Sequence, residues 1–536
     1  MQNNNSSFHH PAAFWAGCIA ITLGVLSHLP MFMMGRSTHY QMVGMEMDNF
    51  MLAGMGMIPV GLLLAAYGLM PRFASMQRSG AEPMQFHVAD GVALNREHWK
   101  LVSVLVVALA VDVLKPATLG FVMPGVTREY GISRETAGIL PLVALTGTTV
   151  GSVLWGRLAD VFGRRSAILL SALMFVGTAI CGAMPSFEWN LVMCFLMGAS
   201  AGGLLPITFT LMAETVPARH RGWLLVALGG IGTSGGYLLA AGAAAWLEPL
   251  FSWRALWLLG LPTGLVIIVL GRYLPESPRF LARAGLQDQA RAVLARFAGA
   301  RGDQDVEADP PAGTNTAPSA HEVPGSGQLL RGKHAAITRG LVTCGVAWGL
   351  ANFGFLLWLP TNLGRMGMDA SAASALLTRA AILALPGTAV VILMYHRWSS
   401  LKSLVAFIAL TAASLLLFFL LAVAKIQSGA AMTAVTAALL VSSSGVIAML
   451  IPYAAEIYPV HLRGTGSGLV AAGSKFGGIV GALFGVFGLF SHFAASALLI
   501  AIAMAAAAVM LAFSGVETRG RRLEDIQHTI DGLRTR

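Results

Sequence analysis

The sequence predicts an all-α polytopic membrane protein: two pseudo-symmetric six-helix bundles plus an N-terminal helix pair. Three observations carry this. The chain of 536 residues is 56% hydrophobic and only 11% charged, against about 25% charged in soluble domains. Apolar runs of roughly 20 residues, enough to cross a ~30 Å hydrocarbon core, recur along its whole length. Two decapeptides, AETVPARHRG at 213–222 and AEIYPVHLRG at 455–464, repeat Ala, Glu, Pro, Arg and Gly in register, each where one run ends and the next begins. Such repetition at half-length implies two parallel halves around a central path.

The apolar runs fall at 12–34, 50–70, 100–122, 136–156, 166–184, 188–212, 223–247, 253–273, 336–360, 372–394, 401–423, 428–452, 464–487 and 491–513. The first follows a start without Lys or Arg, and MFMMGRSTHY offers no small-x-small cleavage site, so a retained helix is expected rather than a signal peptide. The even number of runs puts both termini on one side. Arg157, Arg164, Arg165, Arg219, Arg221, Arg463, Arg519, Arg521 and Arg522 fall there too, which makes that side cytoplasmic by the positive-inside rule. The exceptions on the other side are Arg36, Arg128, Arg134, Arg365 and Lys425. The expected location is the inner (plasma) membrane.

Residues 1–71 hold the extra pair and 72–99 a linker. The bundles are expected at 100–273 and 336–513, with a central loop at 274–335 and a tail at 514–536. The loop opens with PRFLARAGLQDQARAVLARFAG, whose Phe280, Leu281, Val293, Leu294 and Phe297 suit an amphipathic helix on the inner face. DPPAGTNTAPSAHEVPGSG then reads as a flexible linker.

The net charge of +10 does not indicate nucleic acid, because the basic residues lie in short loops rather than on one face. The lipid bilayer is the expected surroundings, and a monomer the expected state. Cys18, Cys181, Cys194 and Cys344 lie inside apolar runs without metal-ligand spacing and read as buried free thiols. No cofactor is expected. Nothing in the polar residues pairs a nucleophile with a base, so an enzyme is not expected either.

Ionisable residues inside the runs are the candidate site, since each costs ~2.5–3.5 kcal/mol to insert. LAVDVLKPATLGFVMPG puts Asp112 and Lys115 near mid-membrane on one helical face. Pro116 leaves the Asp112 carbonyl without an N–H partner and is expected to kink the helix. Lys475 lies halfway along its helix, and Arg379 roughly 10 Å into its own, with Pro386 beyond it. Trp348, Asn352, Phe353 and Trp358 either flank an aromatic ligand or, for the Trp residues, anchor at the lipid interface. VALGGIGTSGGYLLAAG suits close helix packing or a hinge. Nine Met with His28 and His39 occupy 28–57. Ordinary flexible packing is the reading favoured there, with soft-metal binding as the minority reading.

GRLADVFGRR at 156–165 resembles the loop signature of the major facilitator superfamily, over a likeness covering about 100–525. Gly156 and Gly163 would allow a tight turn, Asp160 would cap or pair with an Arg, and Arg164 and Arg165 would hold the inner surface. The second copy, YHRWSSLKSL, keeps basic residues but neither Gly nor Asp. The resemblance implies that Glu214 with Arg221, and Glu456 with Arg463, are gating contacts that make and break salt bridges with the Asp160–Arg164 loop. LPESPRF and VETRGRRLEDI resemble sugar-porter endings, but the helix GVAWGLANFGFLLWLP lacks paired Gln, so hexose is not the expected substrate. The spacing of Asp112, Lys115, Gly120 and Pro124 is similar to the aromatic-acid:proton symporter branch, which carries Asp-Gly-x-Asp. Here Val113 replaces the Gly and Lys115 the second Asp. GSKFGG stands where that branch has Gly-Arg-x-Gly.

These readings converge on uptake of a small organic anion with protons by alternating access. Asp112 would take the proton, and Lys115, Lys475 and Arg379 would meet the anion beside Asn352 and Trp348. Proton-driven efflux of amphipathic compounds is the alternative, disfavoured because Ser234 and Gly235 replace a typical Gly-Pro pair. A metal sensor or chaperone using the Met-rich loop is the third.

Overall fold

The computed structural model describes residues 10–69, 92–298, 329, 334–365, 367–426, 428–458, 460–489, 492–519 and 530. The DPPAGTNTAPSAHEVPGSG linker and Arg521 and Arg522 lie outside them. Among the described residues fourteen helices are long and apolar enough to span a membrane. They are α1 Pro11–Thr38, α2 Asn49–Leu69, α3 Arg96–Tyr130, α4 Arg134–Phe162, α5 Arg164–Ala183, α6 Phe187–Thr215, α7 Arg219–Phe251 and α8 Arg254–Tyr273. Then come α9 Ala335–Gly364, α10 Ala370–Arg397, α11 Ser400–Val423, α12 Gly429–Ile457, α13 Gly466–Val486 and α14 Phe493–Ser514.

Several helices outrun their apolar cores because polar caps, not hydrophobicity, set their ends. α3 starts four residues before the apolar run, where the Asn95 side chain accepts from the backbone N–H of Glu97 and His98 and His98 completes a capping box. Ser186, Asp369, Ser399 and Ser428 cap α6, α10, α11 and α12 in the same way. α3 continues as helix through both Pro116 and Pro124.

Each half repeats one packing scheme. α3 lies against α7, α4 against α6 and α5 against α8; in the second half α9 lies against α13, α10 against α12 and α11 against α14. Between halves, α7 meets α10 and α12, α4 meets α13, and α3 crosses α9. The small residues of α7 permit this two-sided contact. A Cβ on Gly236 would fall 2.6 Å from the Ala110 carbonyl oxygen of α3, while Ser234 bonds Thr388 of α10 at 3.1 Å. α9 also packs closely on α13, where a Cβ on Gly349 would come within 2.1 Å of the Ser474 carbonyl oxygen.

The N-terminal pair belongs to the first half. α1 and α2 pack through glycine, with a Gly17 Cβ position 2.4 Å from the Gly61 carbonyl oxygen. Both lie against α5. The end of α1, the connecting loop and the start of α2 bury Met31, Phe32, Tyr40, Met42 and Met51 against Ala183 and Ala255, and the Met42 N–H donates to Glu129 at 2.8 Å.

The amphipathic segment after α8 is two helices, Pro278–Arg283 and Gln287–Ala298, rather than one, because Gly285 takes φ +78 between them. Its apolar face covers protein: Phe297 is buried against His98, and Asn95 Nδ2 donates to the Phe297 carbonyl at 2.7 Å. The four cysteines are buried free thiols.

Candidate functional site

α3 carries Asp112 to mid-membrane, where the two halves leave a cavity of about 200 Å³. α3 lines it with Asp112, Pro116 and Phe121, and α7 with Thr233 and Tyr237. The second half contributes Trp348, Asn352 and Phe353 from α9, Ser443 and Ser444 from α12, and Lys475 from α13. One carboxylate and one ammonium thus enter an aromatic chamber from opposite halves.

α9 changes pitch where it meets the cavity. Residues Leu350–Leu356 form a π-helical turn, a local widening that often marks functional sites. Asn352 and Phe353 lie on it, and Phe353 meets Trp348 edge-on at 5.9 Å between ring centroids. Trp348 donates its indole N–H to the Ser443 carbonyl at 2.8 Å, which fixes its ring as cavity wall. Trp348 and Trp358 are both buried, so neither is a lipid-interface anchor. Trp358 fills the space over Gly485 instead of lining the cavity.

Two expected anion contacts are placed elsewhere. Lys115 is buried on the far flank of α3, with Nζ 3.6 Å from Asp112 Oδ1 and 3.8 Å from the centre of the Phe175 ring, and it does not line the cavity. The three-residue spacing aims both side chains to one side of the helix, but Lys115 lies about 60° round and nearly one turn further along, towards α5. Arg379 is exposed on the outer surface of α10 and also does not line the cavity. Its long side chain allows that placement near a helix end.

Sequence reasoning missed Tyr237, Ser443 and Ser444. The signal was present in VSSSG, a run of hydroxyls within an otherwise apolar helix. Among the described residues the Tyr237 and Ser443 hydroxyls are buried without a hydrogen-bond partner. Buried polar atoms are rarely left so. In a cavity they are groups set for a ligand or water.

The GRLADVFGRR loop forms a second polar centre. Gly163 holds φ +100, and a Cβ there would lie 2.3 Å from Glu276 Oε2, so glycine is required both by conformation and by space. Glu276 accepts the N–H of Arg164 at 2.7 Å and of Ser277 at 2.9 Å. Burial pushes the Glu276 carboxyl up to about 7, against these N–H groups and the Arg164 charge. Arg164 reaches Asp160 at 3.3 Å and Glu214 at 3.5 Å, while Ser277 donates to Glu214 at 2.5 Å. Arg165 donates to the Gly271 carbonyl at 3.3 Å, and Arg221 to the Val216 carbonyl at 3.4 Å. Gly156 does not form a tight turn: it is helical, with nothing within 4 Å of its Cβ position.

The second half repeats this centre with different residues. Glu517 accepts from Ser399, from the Ser400 N–H at 3.0 Å and from the Arg519 N–H at 2.9 Å. Thr518 donates to Glu456 at 2.6 Å, as does Tyr395 at 3.0 Å. Burial would raise the Glu517 carboxyl, but the Ser399, Ser400 and Arg519 donors prevail and take it down to about 2. Glu276 and Ser277 therefore correspond to Glu517 and Thr518, and Glu214 to Glu456. The Arg463 side chain lies outside the described residues.

A third cluster escaped sequence reasoning altogether. Glu129 pairs with Arg254 at 2.7 Å, both buried, and takes the Trp253 indole N–H at 2.8 Å. Arg254 also donates to the Met184 carbonyl at 2.8 Å and the Tyr130 hydroxyl at 3.1 Å. The partners are distant in sequence, and no local pattern marks them.

Residues 102–451 match the family model described as Major Facilitator Superfamily. Over 447 residues the chain is 25% identical to the niacin transporter NiaP of Acinetobacter baylyi, covering 82% of this chain and 98% of the relative. It is 27% identical over 393 residues to a gallate transporter of Pseudomonas putida, covering 72% of this chain and 84% of the relative. A shorter match, 32% identity over 240 residues, covers 43% of this chain and 52% of the 4-hydroxybenzoate transporter PcaK of Acinetobacter baylyi. Among solved structures, the proton:xylose symporter XylE superposes with a TM-score of 0.63 at 19% identity, over 81% of this chain and 98% of that one, a likeness of fold.

Proposed function

The chain belongs to the major facilitator superfamily and is a multi-pass membrane transporter rather than an enzyme, and from that premise we propose that it takes up a small aromatic carboxylate together with protons. The observation that carries the proposal is that Lys475 and Asp112, from opposite halves, line one aromatic cavity. Lys475 receives the carboxylate. Phe121, Phe353 and Trp348 supply ring faces, and Tyr237, Ser443 and Asn352 supply donors for ring substituents. About 200 Å³ suits a single ring better than a fused system. The relatives that carry niacin, 4-hydroxybenzoate and gallate support the same class of cargo.

Asp112 takes the coupling proton. Its carboxylate shares the cavity with the Lys475 charge when the site is empty; a substrate anion that neutralises Lys475 removes that long-range support, and Asp112 then gains a proton. Because the two partners belong to different halves, loading changes the contact between them, and the halves rock about the cavity as alternating access requires. The centres at Glu214 and Glu456 hold and release the side bearing the GRLADVFGRR loop. In this reading that side is cytoplasmic, the termini lie on it, and a monomer in the inner membrane suffices.

The test is uptake of radiolabelled nicotinate and 4-hydroxybenzoate into proteoliposomes, with and without an inward proton gradient, for wild type and Asp112→Asn. Gradient-driven accumulation that disappears in the variant while counterflow persists is expected. If neither acid moves and an amphipathic cation is expelled instead, the uptake reading fails.

A further inference from the structure

We infer that Lys115 is a resident counter-ion that positions Asp112, not a ligand of the substrate. This rests on the symport reading above and adds a residue to it.

The ammonium of Lys115 is enclosed by α3 and α5 and does not reach the cavity. Among the described residues it makes no hydrogen bond. Its neighbours are Asp112 Oδ1 at 3.6 Å, longer than a charge-assisted hydrogen bond, and the Phe175 ring at 3.8 Å. An ammonium without hydrogen bonds in a dry interior is expensive, and a cation–π contact offsets part of that cost. Two loose partners suit a charge whose partner changes during the cycle.

The charge count explains the need. A single buried carboxylate facing a single ammonium closes into a tight pair. Were Lys475 the only cation near Asp112, the arriving anion would have to break that pair to bind. With Lys115 on the other flank, Asp112 stays ionised without claiming Lys475, and Lys475 is left to the substrate. When the proton arrives from water on one side, an O–H bond forms on Asp112 and the Lys115 ammonium rests on the Phe175 ring. When the proton leaves to the other side, the ammonium returns to the carboxylate. No other bond is made or broken.

Counterflow kinetics with radiolabelled nicotinate decide the matter without any gradient. In Lys115→Met, KM rises about tenfold or more as Asp112 closes onto Lys475. Adding Asp112→Asn in the same chain brings KM back towards wild type, because no carboxylate then competes for Lys475. A substrate ligand would behave oppositely, the double variant being no better than the single. Lys115→Gln repeats the comparison should the Met variant not purify as a folded carrier. Phe175→Leu is expected to keep counterflow and lose gradient-driven accumulation. An unchanged KM in Lys115→Met, or no recovery in the double variant, overturns the inference. Failure of wild type to accumulate nicotinate under a gradient would sink the symport reading alone, since the counterflow comparison does not use one.

Discussion

Glu276 and Glu517 occupy equivalent points of the two halves, each closing the amino end of a helix: Glu276 takes the Arg164 N–H of α5 at 2.7 Å, and Glu517 the Ser400 N–H of α11 at 3.0 Å. Their environments differ. Glu276 is enclosed and its carboxyl is pushed up to about 7, whereas hydroxyl and backbone donors take Glu517 down to about 2.

The two centres will therefore respond to pH differently. Between the ordinary value of 4.5 and about 7, folded Glu276 holds a proton that the unfolded chain has released. Local stability there falls as pH rises through that window. Glu517 contributes stability above 4.5 that is lost only as pH falls through about 2. Hydrogen exchange, corrected for intrinsic rates, should show residues 271–283 opening more readily at about pH 8 than at about pH 5, with 514–519 unchanged. Glu276→Gln should abolish the difference. Equal responses from both segments would contradict it.

Removing the hydroxyl neighbours of the half-buried Glu214 and Glu456 should weaken both centres in parallel. Ser277→Ala deprives Glu214 of its 2.5 Å donor, and Thr518→Val deprives Glu456 of its 2.6 Å donor. Each should cost about 1.5–3 kcal/mol, the worth of a hydrogen bond to a charged group. Thermal unfolding in detergent measures the loss, and Ser277→Thr should restore most of it.

Glycines of similar appearance should differ in tolerance. Gly349→Val would drive a side chain into the Ser474 backbone, and it should abolish assembly or transport. Gly156→Ala meets nothing within 4 Å and lies in a helix, so stability should hold or rise by up to about 1 kcal/mol. Fluorescence-detected size exclusion of the two variants separates these outcomes; a collapsed Gly156→Ala would show that the residue serves another conformation.

Glu129→Gln should be among the most damaging single changes outside the cavity. It leaves buried Arg254 without its counter-charge, a loss of about 3–5 kcal/mol. The paired change Glu129→Leu with Arg254→Met should be milder, since no charge then remains buried. Because Met42 also donates to Glu129, limited proteolysis of the α1–α2 loop should speed up in the single variant.

The spans, the half-length repeat and the pair Asp112 and Lys475 were legible because length, register and intramembrane charge are local signals. Side-chain direction was not. Lys115 and Arg379 share the chemistry of Lys475, yet helix rotation sends one towards α5 and the other outwards. Nor could periodicity locate Glu129 beside Arg254, since that contact follows from how α3 and α8 pack. The amphipathic segment was read correctly for its apolar face and wrongly for its continuity, because Gly285 breaks it.

The pair α1–α2 covers one flank of α5, while its counterpart α11 leaves Leu410, Leu416, Leu417 and Leu420 open to lipid. In the proposed cycle an eight-helix body would therefore turn against a six-helix one. Viscous drag in a bilayer grows with perimeter, so equal and opposite torques swing the lighter body through the larger arc. Seen from the surrounding lipid, the first half would then be the stator of the proposed cycle and the second its rotor, and a label on α11 should sweep further than one on α2.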